Sequence, residues 1–179
     1  MLKYCLLSCL FFVVTVVNAQ RLNPGFNLQE YQEMLRVNAH IYEQDGTDPS
    51  DIPAPQFSKL IYRSSTMGLN NLYELWQGDE HTAIFCTRGS IDDNLSWLAN
   101  LYAAMVPATG KLEIDTNFVF DYKLSKDPNA AVHVGYLIST AFLSRDMLPK
   151  IDSLYQGGTR GILIVGHSQG GGISYLLTA

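Results

Sequence analysis

Hydrophobic and polar positions alternate along this chain with two distinct periods, and the points where the period changes mark its elements. In residues 27–43, NLQEYQEMLRVNAHIYE, apolar side chains recur at Leu28, Tyr31, Leu35, Ala39 and Tyr42, with Glu30 three residues after a cap-type Asn27. That spacing predicts an amphipathic helix. The prolines of DGTDPSDIPAP, residues 45–55, forbid regular structure and mark a connection. Short apolar runs follow at Phe57–Arg63, 69–77 (LNNLYELWQ) and 81–87 (HTAIFCT), the last two joined across Gly78-Asp79-Glu80. They predict a hairpin whose second arm is covered on both faces. The period then returns to helical: Ile91, Leu95, Leu98, Tyr102 and Met105 precede Pro107, and Ser90 with Asp93 reads as a capping box. Phe118-Val119-Phe120 is a short strand candidate and Pro128-Asn129 belongs to a loop. Residues 134–156 form a long apolar helix, kinked or split by Pro149 and ended by Gly157-Gly158. A strand at 161–165 and an apolar helix at 173–179 close the series. Strand, helix, strand in this order is a parallel crossover, so the expected architecture is an α/β sheet.

The first nineteen residues stand outside this fold reading. MLKYCLLSCLFFVVTVVNA has Lys3 near its start, an apolar stretch from Cys5 to Val17 and a small-residue exit at Ala19, the layout of a secretory signal peptide. The stretch is short for a bilayer span, and Gln20 and Arg21 begin a polar segment, so no integral membrane span is expected after cleavage. Residues 20–179 then form one domain, and the localisation is secreted or periplasmic. Cleavage removes Cys5 and Cys9 and leaves Cys86 alone, which rules out an internal disulfide and reads as an inert core residue. It also removes Lys3, making the chain more acidic than the full sequence's net charge of −5. With no basic cluster, nucleic-acid binding has no electrostatic footing.

Chemistry concentrates at Gly166-His167-Ser168-Gln169-Gly170, which matches G-x-S-x-G between an apolar strand and an apolar helix. A hydroxyl held at so sharp a turn sits on strained backbone, and the residues two before and two after it must be small for strand and helix to pass. Gly166 and Gly170 meet that need. The turn raises the Ser168 hydroxyl at a helix N-terminus, where the Gln169 N–H can meet negative charge developing on a tetrahedral intermediate. An ordinary glycine-rich turn is the bland alternative. A phosphate cradle would need a Lys-Ser/Thr pair after the last glycine, or G-x-G-x-x-G, and neither occurs. The four histidines, His40, His81, His133 and His167, are scattered without a metal-ligand spacing, so neither metal nor cofactor is expected.

GHSQGG after ILIV, with the upstream TRGS, Trp97 and AVHVGYL, resembles the class 3 (fungal-type) lipases of the α/β-hydrolase fold. The resemblance implies a mostly parallel central sheet, incomplete here at its C-terminal side, and a carboxylic-ester hydrolase acting on lipid or other esters through an acyl-enzyme. Position by position, it implies Ser168 as nucleophile and Ser90 and Gln169 as oxyanion-hole residues, with Gly166, His167 and Gly170 completing the elbow. Ser90 also reads as a plain helix cap. Residues 91–106 would occupy the place of the family's lid, with Trp97, Leu98, Leu101 and Met105 making transient contact with a lipid interface; simple packing on the core is the alternative. His133 would be structural, and His167 would point away from the hydroxyl.

In α/β hydrolases the acid and then the histidine follow the nucleophile in sequence. Residues 169–179 contain no Asp, Glu or His. The expectation is therefore the front portion of a longer enzyme, inactive or nearly so as it stands; the opposing reading is a non-catalytic secreted lipid-binding remnant.

Overall fold

A computed structural model describes residues 25–179, apart from residues 47, 49 and 80 and the side chain of Gln44. The proposed signal peptide, residues 1–19, lies outside the described residues. Helix α1 (Leu28–His40) begins as its cap predicts: the Asn27 side chain accepts from the N–H groups of Gln29 and Glu30. A short 3₁₀ turn at Glu43–Asp45 follows. Strands β1 (Lys59–Arg63), β2 (Tyr73–Gln77) and β3 (Thr82–Thr87) form an antiparallel meander, so the hairpin read between residues 69 and 87 is present. Then come α2 (Asn94–Leu101), β4 (Met105–Pro107), β5 (Thr109–Asp115), β6 (Phe118–Lys123), β7 (Ala131–His133), α3 (Val134–Gln156), β8 (Gly161–Gly166) and α4 (Gln169–Leu177).

The main sheet has the order β1-β2-β3-β8 and is mixed; among the described strands only β3 and β8 run parallel. α3 lies in the crossover that joins this parallel pair. The strand on the far side of that crossover is β3, whereas the sequence order suggested the strand at Phe118. β6 instead pairs with β5 in a separate two-stranded ribbon.

Side-chain parity explains the layering. Tyr73, Leu75, Ala83, Phe85, Ile162 and Ile164 point to one face of the sheet, where Leu143, Met147 and Ile173 of α3 and α4 cover them. Leu72, Trp76, Ile84, Cys86, Leu163 and Val165 point to the other, where Val37 and Ile41, the latter the C-cap residue of α1, seal them. All six residues of β3 are buried, as its apolar centre, Ala83 to Cys86, predicts. Burial pushes the Cys86 thiol far up in pKa, consistent with an inert core residue. α3 runs unbroken through Pro149.

Two expectations are corrected. The buried face of α1 is Glu33, Val37 and Asn38, while Leu28, Tyr31 and Leu35 are exposed. Glu33 is turned inward because its carboxylate accepts the backbone N–H groups of Gln56, Phe57 and Ser58. The helix read from Ile91 to Met105 is shorter: Asp93, not Ser90, caps it by accepting from Leu95 and Ser96, and Met105–Pro107 instead pairs with Ala131–His133. β8 is at the end of the described strand order, and each of its residues is only half-buried.

Candidate active site

The parallel pair β3 and β8 delivers two chain segments to the same end of the sheet, with Thr87 opposite Gly166. After β8 the chain bends through His167 and Ser168 and enters α4 at Gln169. Ser168 takes φ 56° and ψ −126°, one of two non-glycine residues with positive φ among the described residues. A side chain in that region costs of order 1–3 kcal/mol and persists only where surrounding packing dictates it.

The packing that dictates it is visible at the two flanking glycines. A Cβ on Gly166 would lie 2.6 Å from Thr87 Oγ1 and closer still to the Gly170 carbonyl. One on Gly170 would lie 2.9 Å from the Arg88 carbonyl carbon and closer to Thr87 O. Strand and helix are thus pressed together and onto the exit of β3. Thr87 ties the junction further: its single hydroxyl hydrogen is shared between Gly170 O (2.9 Å) and Val165 O (3.2 Å), and the same oxygen contacts Ser174 Oγ. These bonds satisfy a polar group that is wholly buried.

The next residues off β3 complete the bend's surroundings. A Cβ on Gly89 would sit 2.6 Å from His167 O and 3.6 Å from Gly170 N, so residues 88–90 lie directly against the bend. Gly89 N–H donates to Tyr42 Oη at 2.8 Å. Arg88 is 2% exposed, and its guanidinium clamps both Asp45 oxygens (2.7 and 2.8 Å) and Asn70 through its carbonyl and its side-chain oxygen (2.8 and 3.1 Å). The ionic chain continues through Arg63 to Glu74, whose other oxygen accepts from Trp76 Nε1. Burial raises the Glu74 carboxyl, and the Arg63 and Trp76 bonds only partly offset it.

Each residue singled out by the sequence can now be placed. Ser168 and His167 are exposed at the bend, and among the described residues no side chain hydrogen-bonds the Ser168 hydroxyl. Gln169 opens α4, so its N–H has no partner within the helix; its side chain is buried and donates from Nε2 to Ser96 O at 2.8 Å. Ser90 Oγ accepts from Asn100 Nδ2 at 2.7 Å, while Asn100 Oδ1 accepts from Tyr136 Oη at 3.2 Å. Both residues therefore touch α2. The remaining histidines stand apart: His133 caps α3 and stacks on Tyr136, His81 meets Gly158 O, and His40 pairs with Glu43. Among the described residues no group of acidic, His or Cys side chains could hold a metal.

Sequence reasoning missed Arg88 and Asn100 as members of this cluster. A cation at the end of a strand expected to be covered on both faces was the available signal for Arg88, because a buried charge demands partners. Asn100 carried none.

A family model described as lipase (class 3) matches residues 84–179. Solved structures agree at the level of the fold. A fungal lipase–inhibitor complex, presented as a model for interfacial activation, is 21% identical with a TM-score of 0.58, covering 83% of this chain and 51% of its own. A triacylglycerol lipase described as having a serine protease triad at its catalytic centre is 22% identical at 0.53, covering 83% and 51%. The lipase of Rhizopus microsporus var. chinensis is 21% identical at 0.55, covering 84% and 49%. The chain thus spans about half the length of the solved lipases it matches. No curated protein matches it.

Proposed function

Because this chain belongs to the class 3 lipase family, we propose that the protein is a secreted serine hydrolase of carboxylic esters in which Ser168 is the nucleophile. The observation that carries this reading is the Ser168 backbone at φ 56°, which holds an exposed hydroxyl at the N-terminus of α4 between two glycines that admit no side chain. Ser168 Oγ attacks the ester carbonyl and passes its proton to a general base; the alcohol leaves, and water hydrolyses the acyl-enzyme. Negative charge on the carbonyl oxygen is met by the Gln169 N–H and by Ser90. The Asn100 bond bears on this: Ser90 Oγ accepts from the amide, which leaves its own hydrogen to donate toward the oxyanion.

The reaction requires a base and a carboxylate to orient it, and among the described residues no histidine bonds Ser168. The proposed activity is accordingly that of the whole protein. Its substrates are lipid or other carboxylic esters, and the exposed apolar residues of α2, Trp97, Leu98 and Leu101, support contact with a lipid interface. The same exposed face, together with the unpartnered hydroxyl, also supports a second reading as a non-catalytic lipid-binding protein.

Hydrolysis of a soluble short-chain ester and of an emulsified long-chain one by the whole protein, each compared with Ser168→Ala, separates the two. The catalytic reading predicts at least about 10³-fold loss in the variant. Turnover equal in both proteins would remove Ser168 from the chemistry. Interface binding without turnover in either would favour the binding protein.

A further inference from the structure

The exposed side of α2 contains one polar residue, and its position is specific. Leu95, Trp97, Leu98 and Leu101 are 52%, 51%, 44% and 75% exposed, while Ser96 and Ala99 are buried against the rest of the fold. Asn94 falls in phase with the apolar ones: three, four and seven residues separate it from Trp97, Leu98 and Leu101, which is the spacing of a single helical stripe. It is exposed, and among the described residues its side chain makes no hydrogen bond. Asn94-Leu95-Ser96 is also the only Asn-x-Ser/Thr triplet in the full sequence.

We propose that Asn94 carries an N-linked oligosaccharide and that this glycan covers the apolar face of α2. The proposal rests on reading residues 1–19 as a secretory leader, since that route brings a chain to the transferase. The Asn94 side-chain nitrogen forms an N-glycosidic bond to the anomeric carbon of a lipid-linked oligosaccharide and releases one proton, while the lipid pyrophosphate leaves. No oxidant or reductant takes part.

The structure also sets the order of events. Ser96 is 1% exposed, and its Oγ accepts the Ile91 N–H at 3.1 Å. The folded triplet is therefore helical, with its hydroxyl buried and engaged, and transfer precedes the closing of α2 onto α3. Once α2 has formed, Asn94 is exposed on the same side as Trp97 and Leu98, where an attached glycan would lie over them. Four exposed apolar side chains on one short helix are an aggregation liability for a protein released into water, and a glycan in their midst offsets it.

The test uses the whole protein with its leader, produced in a eukaryotic secretory host. The secreted wild type should carry the mass of one glycan, removable by a peptide amidase that leaves Asp at position 94, whereas Asn94→Gln should be secreted at the bare polypeptide mass. A secreted wild type of bare mass overturns the glycan while leaving the secreted-hydrolase reading intact. Retention of the chain inside the cell overturns the secretory premise and the glycan together. Amidase-treated protein should bind phosphatidylcholine vesicles at least about threefold more tightly than the glycosylated form, as an uncovered apolar face requires. Equal binding overturns the covering role.

Discussion

The bend at Ser168 and helix α2 lie side by side, yet they are held by opposite means. At the bend, backbone meets backbone: Gly166 and Gly170 press against the exit of β3, Thr87 binds across the junction, and Arg88 anchors the adjoining loop with four hydrogen bonds. α2 buries only Ser96 and Ala99 and rests on α3 where the Ala99 backbone meets Gly135. Its remaining links to the site are single hydrogen bonds, Gln169 Nε2 to Ser96 O and Asn100 Nδ2 to Ser90 Oγ. A site that places a reacting atom needs the first kind of construction, and a cover that moves needs the second. The difference teaches that the bend is built for precision, whereas α2 is held sparsely enough to serve as the proposed cover; the two meet at Ser90 and Gln169.

Substitutions at the bend should therefore cost stability, and substitutions on α2 should not. The largest loss is expected from Arg88→Met, which strips Asp45 of its main partner; about 3–5 kcal/mol should disappear from the urea unfolding free energy, with partial recovery in the double variant that adds Asp45→Asn. Gly170→Ala drives a methyl into the Thr87–Arg88 backbone and should cost about 1–3 kcal/mol in the same measurement. If either variant were neutral, the rigid half of the comparison would be lost.

Glu33 sharpens the contrast through pH. Burial raises its carboxyl, but the amides of Gln56, Phe57 and Ser58 prevail and hold it below the ordinary value of 4.5. A carboxyl lowered on folding contributes stability in full above that ordinary value, and the contribution fades as pH falls through the folded pKa. Thermal midpoints measured downward from pH 6 should thus drop in the wild type, and the drop should be shallower in Glu33→Gln. Smallest of all should be Leu101→Ser on α2: 75% exposed, it should change unfolding free energy by less than about 0.5 kcal/mol. In an Asn94→Gln background the same change should weaken vesicle binding roughly tenfold, the worth of one withdrawn leucine.

What the sequence disclosed follows the same division. The bend was legible because its requirements are local and steric: two small residues flank a raised hydroxyl between an apolar strand and helix. The β2–β3 hairpin and α3 were legible for similar reasons, as uniform or periodic apolarity over short range. The buried face of α1 was not, because Glu33 turns inward to meet amides 23 to 25 residues away. Arg88 escaped notice as an anchor because its partners, Asn70 and Asp45, lie 18 and 43 residues back. The extent of α2 was misjudged because Asp93 competes with Ser90 as cap at one end, and at the other Met105–Pro107 is drawn into pairing with Ala131–His133, 26 residues on. β5 escaped too, since its alternation in TGKLEID is weakly apolar and its partner ribbon packs outside the main sheet.

The central claim is that the Ser168 hydroxyl is the reacting group. It is tested most directly by treating the whole protein with a serine-directed fluorophosphonate and mapping the adduct by peptide mass spectrometry. The account predicts a single phosphonate on Ser168 and none on Ser168→Ala. An ester-hydrolysing protein whose adduct maps to another residue, or whose Ser168→Ala variant is labelled as fully as the wild type, would contradict it.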